Sequence, residues 1–226
     1  MLATVLLGFG HAYYLAGLYA PPPTQIIHLH GAAFTGWILL FVTQTSLVRV
    51  GNVGTHRRLG FVGFWLACLM VVLGVLVATE ALARNLGFFG NDPQTSYIIP
   101  LTDMVIFGML MLFAFRNRLS ASTHKRLLTI ATISLMGAPI SRWPFDFVYH
   151  HSRPTMLVNY VFLLVLVVYD LWSTRRIHPA TLWAAAFLIF VDQIRLPIGH
   201  TAAWHAFAAW AQSLACGSSL FVVHPM

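Results

Sequence analysis

Thr55-His56-Arg57-Arg58-Leu59, read beside Thr123-His124-Lys125-Arg126-Leu127, decides the fold of this chain. Each is a short basic word set directly before an apolar run of membrane-spanning length. Only 8% of the residues are charged and 58% are hydrophobic, yet Lys and Arg gather in a few short loops. That pattern belongs to an all-α, polytopic transmembrane helix bundle. The function of such a chain rests on the polar residues it tolerates in or beside the bilayer.

A mean hydropathy of +0.76 excludes an ordinary soluble domain, in which roughly a quarter of residues are charged. The 226 residues make one integral membrane domain with room for about six to eight crossings. The net charge of +7 is read as cytoplasmic-loop enrichment in Lys and Arg and not as a nucleic-acid surface. Cys68 and Cys216 are too few for a disulfide framework and form no C-x-x-C pair. The first apolar run has no basic residues before it, which fits a chain that begins inside its first helix, without a cleavable signal.

Seven spans are expected, at about 2–19, 27–50, 59–84, 97–115, 127–145, 156–172 and 180–197, with 199–226 as an interfacial tail carrying Trp204 and Trp210. Arg49, Arg57, Arg58, Arg116, Arg118, Lys125, Arg126, Arg175 and Arg176 then share one side. Arg84, Arg142, Arg153 and Arg195 share the other. The more basic side is cytoplasmic by the positive-inside rule. This places the N-terminus inside and the C-terminus outside, in a bacterial inner membrane. The two basic words repeat at 68 residues, His56 to His124, so a duplicated helix-pair core is expected, and such repeats commonly hold a ligand at their interface.

Eleven histidines are a surplus in so apolar a chain, because an imidazole in lipid needs a partner. His56 and His124 open two spans at one level, as bis-His ligation of a haem requires, and Arg57, Arg58 and Arg126 suit haem propionates. The plainer alternative is a pair of interfacial histidines that cap helices and touch lipid phosphate. At the outer face, His28 and His30 form an H-x-H pair. It suits a transition metal if one residue sits in the extended lead-in and the other in the first turn, with His150, His151, His200 or His205 as a third ligand. Asp103, Arg142, Asp192 and Arg195 lie at outer or middle depth, and buried carboxylates in a bilayer are nearly always paired. They are read as the lining of a polar cavity for a quinone, a proton path or a small polar ligand, or as ion pairs that set helix register. Gln44, Asn159 and Gln193 add hydrogen-bonding groups. Asp170 is read as a register lock with Arg175 and Arg176. The single lysine, Lys125, lies in a basic loop, which excludes a retinal Schiff base. No Walker, G-x-S-x-G or H-E-x-x-H motif is present.

His30-Gly31, Thr55-His56-Arg57-Arg58-Leu59-Gly60, Asp103, His124-Lys125-Arg126-Leu127 and Arg142 together resemble a family of bacterial multi-pass membrane proteins defined as a domain of unknown function. The resemblance covers Ile27 to Trp143. More distantly, the arrangement is similar to di-haem cytochrome b type membrane reductases, whose four core helices carry two bis-His haem b groups. That likeness implies that His56 and His124 hold a haem on the cytoplasmic side, and that His28 or His30 supplies one ligand of an outer haem. The chain departs from the pattern in its fourth span, where Asp103 stands and no histidine does. A second haem would therefore draw on His150, His151 or His200.

The leading expectation is a membrane redox protein that binds haem b and passes electrons between a quinol and another acceptor. One alternative is a non-catalytic subunit or scaffold of a larger membrane complex or homo-oligomer. The other is an outer-face metal or small-ligand site.

Overall fold

The structure, a computed structural model, describes residues 1–10, 24–145, 148 and 152–217. Among them it is helical, with no strand: α1 (Leu2–Phe9), α2 (Gln25–Arg49), α3 (Val53–Ala83), α4 (Pro93–Arg116), α5 (Ala121–Ser134), α6 (Gly137–Ile140), α7 (Ser152–Thr174), α8 (Pro179–Gly199) and α9 (Ala202–Cys216). Five of these, α2, α3, α4, α7 and α8, are 21 to 31 residues long and apolar enough to cross a membrane. At 1.5 Å per residue they reach about 31–46 Å, against about 30 Å of hydrocarbon.

Local chemistry explains where these helices start and stop. Thr24, Asn52, Asp92 and Thr201 each accept a backbone N–H of the first turn with a side-chain oxygen, and His178 Nδ1 does the same for Ala180. Pro93 and Pro179 stand directly after their caps, where a missing N–H costs nothing. Gly51 ends α2 at φ +77°. Its N–H bonds Val48 O while Asn52 N–H bonds Leu47 O, a reverse turn that favours a residue without a Cβ.

α2, α3, α4 and α5 pack as successive antiparallel neighbours, and α8 closes on α4 and α5. α7 lies against α5, α6 and α8, and α9 against α3 and α4. α4 is therefore central, with Phe107, Leu110 and Ala114 fully buried beside Met70, Leu127 and Ile130. Trp37 meets Phe107 edge-on at 5.3 Å. The outward faces carry Phe61, Trp65, Leu69, Val105, Leu164, Val165 and Phe190, the apolar exterior that hydrocarbon stabilises and water would not.

The basic loops lie together at one end. Gln44 near the end of α2 donates to His56 O at the start of α3, and Phe64 of α3 stacks on Phe115 of α4 at 4.3 Å. The α3–α4 loop, α6 and the α8–α9 junction mark the opposite end. There Trp204 Nε1 donates to Gln94 O and Gln212 Nε2 to Leu82 O, so both ends of α9 lie across the termini of α3 and α4.

One expectation is corrected. The stretch 127–145 is not one helix: α5 stops at Ser134 and only a four-residue turn, α6, resumes at Gly137. Pro139 has no N–H to return to Leu135 O. The tail forms α9, which buries Ala208, Ala211 and Ala215 against the ends of α3 and α4.

Candidate functional site

Three helix faces converge at the α3–α4 loop end. Ile99, Asp103 and Ile106 on α4, Ser152, Thr155 and Asn159 on α7, and Leu188, Asp192 and Arg195 on α8 all line one cavity of about 490 Å³. Their spacings of three and four residues place each set on a single helical face. Phe88 and Gly90 of the α3–α4 loop, Ser134 at the end of α5, Gly137 and Ala138 of α6, and Arg142 complete the wall. The break between α5 and α6 thus falls on the cavity, where non-helical backbone is tolerated within a membrane. Asp103 stands ten residues into α4, about 15 Å from its start, near the middle of that helix.

Arg195 carries the charge pattern. Its Nη1 donates to Asp103 Oδ1 at 2.8 Å and lies 3.1 Å from Asp192 Oδ1. Tyr160 OH donates to Asp192 Oδ2 at 3.2 Å, and Gln193 Nε2 donates to Tyr160 OH at 3.4 Å. Asn159 is 5% exposed, and its Oδ1 accepts no hydrogen bond among the described residues. A buried amide oxygen left in this way costs the full desolvation of an acceptor. Arg142 faces the same cavity from another wall. Its Nη1 donates to Ala138 O at 2.7 Å and its guanidinium lies 5.1 Å from the Phe9 ring centre. So Asp103, Arg142, Asp192 and Arg195 stand around one space, with Arg195 and not Arg142 bridging the carboxylates.

The H-x-H pair does not converge. With Thr24 as N-cap, α2 already includes His28 and His30. At about 100° per residue they point roughly 200° apart. His28 is exposed, and His30 stacks on Phe34 at 4.1 Å. His200 belongs to a different group, where Thr95 Oγ1 lies 3.5 Å from His200 Nδ1 and 3.0 Å from His205 Nε2. His150 and His151 lie outside the described residues. Among the described residues no three His, Cys, Asp or Glu side chains are grouped to hold a metal ion.

At the basic end His56 and His124 each hold the fourth position of their helix, and their ring centres are 6.4 Å apart at 79°. His124 Nδ1 is 2.8 Å from Ala114 O; against a carbonyl it must donate, which leaves the lone pair on Nε2. Arg57 and Arg58 are exposed beside them. Arg126 is not available to a cofactor: it is 3% exposed, bonds Asp170 through Nε and Nη2, and bonds Ser122 O through Nη1. Asp170 also accepts from Thr181 Oγ1 at 2.6 Å and His178 N–H at 3.1 Å. The partner of Asp170 is thus Arg126, in place of the expected Arg175 and Arg176.

Sequence reasoning missed Tyr160, which braces Asp192 from 32 residues away with no local pattern to mark it. It also missed the α5–α6 break, for which Gly137 and Pro139 were the available signal. Comparisons with family models, curated proteins and solved structures return no match for this chain.

Proposed function

We propose that this chain is a small-ligand-binding membrane protein whose cavity opens toward the outer side of a bacterial inner membrane. The observation that carries the reading is the Asp103–Arg195–Asp192 cluster at span depth. It borders a space of about 490 Å³ and stands beside an amide oxygen with no donor. Pockets of this volume, mostly apolar with a few convergent polar groups, hold drug-sized molecules. The distribution of basic loops supports the orientation. In this reading the five long helices, α5 with α6, and the N-terminal segment make the seven crossings, with the N-terminus cytoplasmic and the C-terminus outside. Native mass spectrometry of the protein purified in mild detergent tests it. The wild type is expected to retain a small molecule that Asn159→Trp, which fills the cavity, releases. Equal retention by both proteins would overturn the reading.

A second reading, a haem b redox protein serving a quinol, is favoured by the His56–His124 pair. Two imidazoles sharing one metal ion at about 2 Å each have centres roughly 6 Å apart, near the 6.4 Å found here. A ligand imidazole ordinarily donates its other N–H, as His124 does to Ala114 O. The equivalent helix positions of the two histidines also support a duplicated helix pair. His56, His124, Arg57 and Arg58 would hold the haem, without Arg126. A dithionite-reduced minus oxidised spectrum with a sharp alpha band, lost in His56→Ala, is the expected result. A flat spectrum from haem-replete cells would remove this reading.

A further inference from the structure

We infer that the cavity selects a monocationic amine or guanidine with an apolar body. The inference rests on the small-ligand reading above and deepens it.

Charge balance within the buried cluster comes first. Asp103 and Asp192 share the single guanidinium of Arg195, which leaves one formal negative charge in excess. All three side chains are largely removed from solvent, at 21%, 6% and 11% exposure respectively. An uncompensated charge at this depth is costly, and it is relieved either by a proton on one carboxylate or by a cation beside them. Arg142 also faces the cavity, but from the exposed rim, and it is held to Ala138 O and over Phe9. Solvent screens a rim charge far more than a buried one.

The second observation is independent of charge. Asn159 is 5% exposed and lines the cavity, and its Oδ1, itself closed off from solvent, accepts no hydrogen bond among the described residues. An amide oxygen is answered by an N–H donor, and an ammonium or guanidinium group has several. Both features suit a positive donor. The remaining wall, with Ile99, Ile106, Met156, Leu188 and Leu196, accepts an apolar body of phenyl or short-alkyl size.

Three probes of one shape separate the outcomes: phenethylammonium, 2-phenylethanol and 3-phenylpropionate, each titrated against the detergent-purified full chain with thermal unfolding as the readout. Phenethylammonium alone is expected to raise the midpoint saturably. Asn159→Leu, which keeps the ion cluster, is expected to weaken that binding about tenfold or more, and Asp192→Asn is expected to weaken it further. If the alcohol or the carboxylate binds as well as the ammonium and responds to Asn159→Leu, the cavity reading stands and the cation assignment falls. If none of the three probes shifts the midpoint, both fall.

Discussion

Arg195 Nη1 sits 2.8 Å from Asp103 Oδ1 and 3.1 Å from Asp192 Oδ1, so one guanidinium ties α8 to α4 and steadies its own neighbour one turn away. Through Tyr160 OH on Asp192 Oδ2 the tie extends to α7. The cluster near the basic end is built differently. Arg126 and Asp170 fill one another's hydrogen-bonding positions together with Ser122, Thr181 and His178, with no exposure at Asp170. That saturation is what a helix lock requires. The Arg195 cluster is open on one side, shares a wall with Asn159 and has an acceptor to spare.

Arg195→Gln removes the guanidinium that bridges the two carboxylates and is expected to destabilise the protein by about 3–5 kcal/mol, the usual cost of stranding buried charge. Chemical denaturation in mixed micelles measures it, and Arg195→Lys is expected to recover part of the loss. A loss below about 1 kcal/mol would mean that Arg195 is not needed to hold the two carboxylates together.

Asp170→Ala strands Arg126 in the same way and is expected to cost a similar amount. The double variant Arg126→Met/Asp170→Leu is expected to recover most of the loss, because an apolar pair can replace a buried salt bridge with little change. Retained cavity binding in that double variant would show that the lock and the site are separate.

Gly74 is a point of close approach between α3 and α4. A Cβ there would collide with Met104 Sδ, and both residues are buried. Gly74→Ala is therefore expected to cost about 1–3 kcal/mol by overpacking. Gly74→Ala combined with Met104→Ala is expected to relieve the collision, although that pair carries its own cavity cost. Thermal unfolding of the three variants checks the order.

The α4 cap gives a pH dependence. Hydrogen bonds from Thr95 hold the Asp92 carboxyl below its ordinary value of 3.8, and His205 nearby acts in the same direction. A carboxyl depressed in the folded state stabilises the fold above its unfolded pKa and loses that contribution as pH falls through the folded one. The wild type is thus expected to lose part of its unfolding midpoint below about pH 4. Asp92→Asn keeps a capping oxygen without the charge and is expected to show a flatter profile there. Parallel profiles would assign the acid loss elsewhere.

Much of the architecture is legible in the sequence because bilayer physics is simple. α2, α3, α4, α7 and α8 each show as a long apolar run. The basic words mark one end because Lys and Arg cluster there. What escaped reading depends on register between distant segments. Asp170 meets Arg126 across 44 residues, whereas Arg175 falls past the end of α7 in a left-handed turn at φ +57°. Thr24 starts α2 early enough to place both imidazoles of the H-x-H pair inside the helix, on opposite faces. Asp103, Asp192 and Arg195 were readable as costly residues in lipid. The amide of Asn159 looked like any interhelical contact until its oxygen was seen to lack a donor.

The central claim is a water-reachable cavity at span depth that opens outward. Asn159→Cys, made in a Cys68→Ser/Cys216→Ser background, tests it with a small, membrane-impermeant, trimethylammonium-bearing methanethiosulfonate. The reagent is applied to right-side-out and to inverted vesicles, with Val165→Cys on the exposed face of α7 as the lipid-facing control. The account predicts rapid modification of Cys at 159 from the outside only, slowed by phenethylammonium, and no modification at 165. Modification at 159 only from the inside, or from neither side, would contradict it.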